Sequence, residues 1–295
     1  MALPLQKAFF RISVMMRVAE SSETGAHGQY PITLVTAYFE LGGKPGSSKN
    51  RYPGWIRNFL PTVRWPLVIF CDEQSVDMLK EARGDKPAVW HVTCPEEFYA
   101  CGYLTGRECA KFDAGDVLVT RSLIWHEKYH FLRQALSENP FGSEIFFWCD
   151  IATFRYDRSV FRMTFRLFED IEWPNLEVCR ALPKDKVVLV MRECPDGRDI
   201  HGAFFGGAIE PSRHWCDIYY RRLEQREQRG VQTQTDEEVM MSCWLRQPDI
   251  AYMIWPGYAP YIKLISKRSG YRWYFLNGRR FPWRYLCRRL FSGSA

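Results

Sequence analysis

The residue best placed to do chemistry is Asp150. It closes the apolar run Ile145-Phe-Phe-Trp-Cys149, which follows the turn signals Asn139-Pro and Phe141-Gly. A run this short suits a buried strand. A carboxylate at the C-terminal end of such a strand lies where open α/β sheets receive ligands, although Asp also caps the element that follows it. A second run, Trp65-Pro-Leu-Val-Ile-Phe-Cys71, ends in Asp72 and repeats the pattern.

Other stretches offer different chemistry. His126-Glu-Lys-Tyr-His130 fits H-E-x-x-H, which on a helix sets two imidazoles on one face for zinc with Glu127 as base. Against a zinc hydrolase stand the charge of Lys128 and Arg133 at the place of the metzincin glycine. The competing expectation is a solvated helix face carrying His126, His130 and Arg133. His201-Gly-Ala-Phe-Phe-Gly-Gly-Ala208 permits close backbone approach, either to a ligand or to another strand. Asp236, Glu237 and Glu238 open a helix, where its dipole favours them and where one of them could serve as a general base. The loop from Glu40 to Arg51 is glycine-rich and basic, able to wrap a phosphate or to lie plainly on the surface.

These residues need a scaffold, and the hydrophobic pattern supplies one. Pro31 to Phe39 reads as a core strand, Tyr52 to Leu60 as a short helix, residues 75–83 as a helix and Ala88 to Thr93 as a strand. The longest helix is predicted over 120–138, with Trp125, Tyr129, Leu132 and Leu136 facing the core. Val187–Met191 is a further strand. Arg213 to Gln228 and Thr235 to Leu245 are helices. Strands alternating with helices predict an α/β fold: a single Rossmann-like domain with a central, mostly parallel sheet flanked by helices. The expected organisation is a flexible leader over 1–30, the α/β domain over 31–260 and a basic, aromatic extension over 261–295.

Composition narrows the classes. With 295 residues, 46% hydrophobic and 16% aromatic, the chain can bury a large core. No apolar stretch reaches the roughly 18 residues of a membrane span. Lys7 and Arg11 break the N-terminal apolar stretch, so it does not read as a signal peptide. Ten cysteines include no Cys-x-x-Cys, which predicts free thiols in a reducing, cytoplasmic setting. Nine of the 40 Lys and Arg residues follow Asp249, and none of the 34 Asp and Glu do, so the net charge of +6 belongs to the C-terminal extension. That extension interleaves arginine with aromatic residues, which suits a peripheral contact with an anionic membrane surface or attraction of an anionic substrate. No nucleic-acid-binding module accompanies it.

Taken in order, Thr33-Leu-Val-Thr-Ala-Tyr38, Tyr52-Pro-Gly-Trp55, Pro66-Leu-Val-Ile-Phe70, Trp125 with Lys128, Asn139-Pro-Phe141, Phe147-Trp-Cys-Asp150 and Gly202–Gly207 resemble the HtrL/YibB-type proteins, which are similar to GT-A-fold glycosyltransferases. The resemblance covers about residues 31–260. It implies a GT-A-like domain that transfers a sugar from a UDP- or GDP-sugar to a hydroxyl of a glycan or lipid-linked acceptor. It further implies Asp150 as ligand of Mn2+ or Mg2+, Lys128 as partner of the diphosphate, and Thr36, Ala37, Tyr38 and Trp148 around the nucleotide. His201, Gly206 and Gly207 would line the acceptor side, and Asp236 or Glu237 would be the base. GT-A enzymes commonly carry Asp-x-Asp at the metal. Here Asp150 is followed by Ile-Ala-Thr, with no second carboxylate.

Overall fold

The apolar pentads Leu67–Cys71 and Ile145–Cys149 are buried at every position, as only strands covered on both faces can be. They flank β1 (Ile32–Tyr38) as β2 and β4 of one sheet. The computed structural model describes residues 29–40, 51–104, 117–154, 173–194, 197–231, 233 and 235–254. The leader, loop residues 41–50 and the extension over 261–295 lie outside the described residues.

The other elements are α1 (Tyr52–Phe59), α2 (Val76–Arg83), β3 (Ala88–Val92), α3 (Val117–Glu138), α4 (Leu176–Arg180), β5 (Val187–Cys194), β6 (Gly197–Ala208), α5 (Ile209–Gln228), α6 (Asp236–Arg246) and β7 (Ala251–Ile254). The strands form one seven-stranded sheet in the order β3-β2-β1-β4-β6-β5-β7. Six run in one direction, and β6 alone runs against its neighbours β4 and β5. The expected mostly parallel α/β fold is therefore present. Among the described residues, no helix is long and apolar enough to cross a membrane.

Side chains alternate between the two faces of the sheet, apart from a register irregularity where β5 pairs with β6. Val35, Phe146, Trp148 and Phe205 face a core built with α3, α5 and α6. Leu34, Ile69, Phe147, Cys149 and Phe204 face a second core with α1, α2 and α4. The consequence for chemistry is parity: Trp148 lies on the α3 face, so Asp150, two residues on, emerges toward the same face at the C-terminal edge.

Two structural roles were not legible in the sequence pattern. Arg83, 2% exposed, donates to the carbonyls of Leu60, Val63, Trp65 and Pro87. Burial lowers its pKa to about 10, so the guanidinium stays charged at neutral pH. It ties the turn after α1 to the end of α2. A lysine ammonium cannot span four carbonyls, so Arg83→Lys is expected to cost about 2 kcal/mol, read as a lower urea midpoint with unchanged slope. Asp72, the echo of Asp150, accepts from the backbone N–H groups of Ser75 and Glu40. It ties the backbone just after β1 to the turn at the end of β2.

Candidate functional site

The chain reverses its lateral direction at β1: β2 pairs on one side of it and β4 on the other. In open sheets this switch opens a crevice at the carboxyl ends of the strands. Asp150 stands beside that crevice, its backbone N–H bonded to the Ala203 carbonyl of the antiparallel β6. The residues around it come from four elements.

Lys128 reaches the edge from α3. Its ammonium donates to Asp236 Oδ2 and to the Gly202 carbonyl, each at 3.1 Å, and stands 3.4 Å from Asp150 Oδ1. The Trp148 indole N–H donates to the same Asp150 oxygen at 2.9 Å, and the ammonium lies 5.8 Å from the Trp148 ring centre. Asp236 is the first residue of α6, whose cap is Thr235, with its hydroxyl accepting from the N–H of Glu238. Burial alone would lower the Lys128 pKa, but Asp150, Asp236 and Glu237 together outweigh it and hold it above its ordinary value. Burial raises the Asp236 pKa, and Lys128 pulls it back only in part.

A second pair adjoins the first. Glu237 accepts from the Gly202 N–H at 3.2 Å and lies 3.8 Å from His201 Nδ1, which accepts from the Ala203 N–H. The accepting Nδ1 fixes the proton of the neutral imidazole on Nε2. The two carboxylates of α6 differ in access: the Asp236 side chain is 4% exposed and Glu237 is 18% exposed.

Of the sequence-predicted residues, the structure gathers Lys128, Trp148, Asp150, His201, Asp236 and Glu237 at one edge. Thr36, Ala37 and Tyr38 lie on neighbouring β1. Thr36 is fully buried within the strand, whereas Tyr38 reaches the edge and begins an aromatic row with Tyr52 and Trp55. Burial, with Glu40 and Asp72 nearby, pushes the Tyr38 hydroxyl up to about 12. Gly206 and Gly207 do not line this edge. They pair with Phe147 and Phe146 inside the sheet, and their absent side chains admit backbone rather than a ligand. The glycine at the site is Gly202, where a Cβ would overlap the Asp236 carboxylate.

Neither expectation for the His-Glu-x-x-His segment holds. The face is not solvated: His126 and Glu127 are 0% and 1% exposed. Nor is it arranged for zinc. Glu127 receives the N–H groups of Tyr99 and Ala100, one on each oxygen, and His126 Nδ1 is paired with the Tyr219 hydroxyl. Burial pushes Glu127 up to about 8 against those two donors. His130 stacks on Tyr99. Among the described residues, no three His, Cys, Asp or Glu side chains form a group able to hold a metal.

The imidazoles make the fold acid-sensitive. Burial, with nearby Lys128, lowers His126 to about 3, and burial lowers His130 to about 4. Both are neutral when folded, while the unfolded chain takes up protons below about pH 6.5. Their contribution to stability is therefore full above pH 6.5 and falls as the pH drops toward the folded values, while Glu127, raised to about 8, works in the opposite sense, its burial costing more as the pH rises toward that value. For His126 alone the loss is about 2 kcal/mol at pH 5. Urea unfolding at pH 7.5, 6 and 5 checks this, and His126→Gln should flatten the slope by about one proton.

A divalent ion at Asp150 fits poorly. The gap between the Asp150 and Asp236 carboxylates is filled by the Lys128 ammonium, and Asp150 Oδ1 already faces two N–H donors. Thr153, three residues on, turns its hydroxyl back to the Asp150 carbonyl. The residues thus do not match the expected Mn2+ or Mg2+ ligand set. At the opposite edge, a concavity bordered by Asp185, His214 and Asp249 presents ionisable groups that are all exposed.

No family model matches the chain, and no curated protein matches it in sequence. Among solved structures it is similar to a 4-diphosphocytidyl-2C-methyl-D-erythritol synthase from Anaerococcus prevotii DSM 20548, with 10% identity and a TM-score of 0.36 over 78% of this chain and 88% of that one.

Proposed function

We propose that the chain is a nucleotide-sugar-dependent glycosyltransferase of the HtrL/YibB-like kind, moving a sugar from a UDP- or GDP-sugar to a hydroxyl of a glycan or lipid-linked acceptor. What carries this reading is the convergence of Lys128, Asp150, His201 and Glu237 at the carboxyl edge beside the β1 switch. In the reaction an acceptor oxygen bonds to the anomeric carbon, the bond from that carbon to the diphosphate breaks, and the acceptor proton leaves to a base. Glu237, the more exposed carboxylate, takes that proton. Asp236 holds Lys128 in place, and Lys128 offsets the charge gathering on the leaving diphosphate. The Tyr38–Tyr52–Trp55 row flanks the nucleotide. The setting we propose is cytoplasmic, with the extension over 261–295 meeting an anionic membrane surface.

The test is thermal melting with UDP-, GDP- and CMP-sugars, with and without Mn2+. We expect one nucleotide class to raise Tm by several degrees, corresponding to occupancy near 100 Kd. A flat response to all of them removes the reading. Glu237→Gln should lower kcat at least a hundredfold with donor affinity kept.

A further inference from the structure

We infer that Lys128 is the resident cation of this site and that it receives a nucleoside diphosphate without help from a divalent metal. The inference rests on the transferase reading and adds to it the chemistry by which the phosphates are held.

The Lys128 ammonium carries three protons. Two are committed to buried acceptors on separate elements, Asp236 Oδ2 on α6 and the Gly202 carbonyl on β6, both at 3.1 Å. These bonds fix the direction of the third proton. It faces Asp150 Oδ1 across a longer 3.4 Å contact, and Asp150 is the more open carboxylate, 23% exposed against 4% for Asp236. The rigid half of the cradle is therefore interior and the exchangeable half is at the mouth. A phosphate oxygen entering there competes with Asp150 for one strong, charge-assisted donor.

The same geometry explains why a metal is a poor occupant. A divalent ion wants several oxygen ligands with open lone pairs. Here the Asp150–Asp236 gap already holds a positive charge, and a dication beside it meets like-charge repulsion. Trp148 adds an indole N–H to Asp150 Oδ1, the oxygen that also faces the ammonium. The chain offers Ile151-Ala-Thr153 where a second carboxylate would complete an ion site. Gly202 contributes at two levels: its carbonyl takes one ammonium proton, and its missing Cβ leaves room for Asp236.

Asp236 and Lys128 together are a neutral buried pair, so Asp150, with Glu237 farther from the ammonium, opposes an incoming phosphate. This separates the inference from a metal-ligand role for Asp150. A metal ligand is required for binding, whereas a competitor for the lysine is not.

Isothermal titration calorimetry with UDP and with GDP tests this on the whole chain, in EDTA and in Mn2+. We expect one of the two to bind in EDTA within about threefold of its affinity in Mn2+. Asp150→Asn should tighten that affinity, because it removes the competing charge. Lys128→Met combined with Asp236→Asn removes both buried charges at once, and an intact melting transition checks that the fold is kept. This double variant should lose at least tenfold in diphosphate affinity while its affinity for the matching nucleoside, uridine or guanosine, stays the same. Binding that appears only with Mn2+ and vanishes in Asp150→Asn overturns the inference and leaves the transferase reading standing. Equal diphosphate affinity in the double variant and the native chain also overturns it. No binding of UDP or GDP in either buffer, by protein with an intact melting transition, overturns both.

Discussion

Gly206→Ala should yield protein that is largely unfolded or insoluble, with at least ~3 kcal/mol lost in whatever folds. Gly206 lies near the C-terminal end of β6, paired with Phe147 on one side and Val188 on the other. Its φ is +142°, a conformation L side chains rarely adopt. A Cβ there would also overlap the Phe146 carbonyl, which belongs to the backbone of the neighbouring strand and cannot rotate away. Two penalties therefore add at one site, and relief would require β6 to separate from β4. Since small domains hold only about 5–15 kcal/mol in total, a change of this size removes much of the reserve. Soluble yield and urea unfolding of the variant measure it. A midpoint equal to that of the native chain would mean the strand tolerates the side chain. Gly202→Ala makes a useful contrast, because the obstacle there is the Asp236 carboxylate rather than backbone.

Lys128→Met should lower stability by about 3–5 kcal/mol, and adding Asp236→Asn should restore most of the loss. The single change strands Asp236, whose side chain is 4% exposed and whose nearest cation is Lys128 at 3.1 Å. An uncompensated buried carboxylate is costly, and it would respond by staying protonated, in the direction burial already pushes it. The double variant removes the charge with its partner and leaves similar volumes in the core. The coupling energy from the four-member cycle is the measured quantity. Additive effects would show that the two groups do not act as a pair. Read beside the nucleotide titrations, the cycle separates what Lys128 does for the fold from what it does for a ligand.

Much of the scaffold was legible in the sequence because it is written in local pattern. The fully apolar pentads at 67–71 and 145–149 announce strands covered on both faces, and Tyr129, Leu132 and Leu136 mark the core-facing side of α3 as expected, whereas Trp125 of the same stripe is only half-buried. Chain order alone put Asp150 at a carboxyl edge. Pattern also picked out Lys128, His201, Asp236 and Glu237, though not their relation to one another.

What remained was decided by contacts distant in sequence. The direction of β6 could not be read from His201–Ala208, because strand direction is set by which neighbours it pairs with and not by composition. Gly206 and Gly207 were expected at an acceptor pocket, yet they serve strand packing; a glycine reads the same whether a ligand or a backbone approaches it. Helix α3 was expected to show a solvated face, but Tyr99 and Ala100 on one side and Tyr219 on another cover His126 and Glu127. Helical periodicity reports one buried face and cannot report a second supplied by other elements. Asp150 needed a cation, and the family resemblance implied a metal. The fold supplied Lys128, 22 residues earlier, and locked it to Asp236, 108 residues later. The sequence read locally determined residue types and five of the seven strands, missing β7 at Ala251–Ile254 and leaving β6 unassigned; which strands pair and which charge meets which was fixed by the topology, because a salt bridge across 108 residues exists only once the sheet has closed the distance.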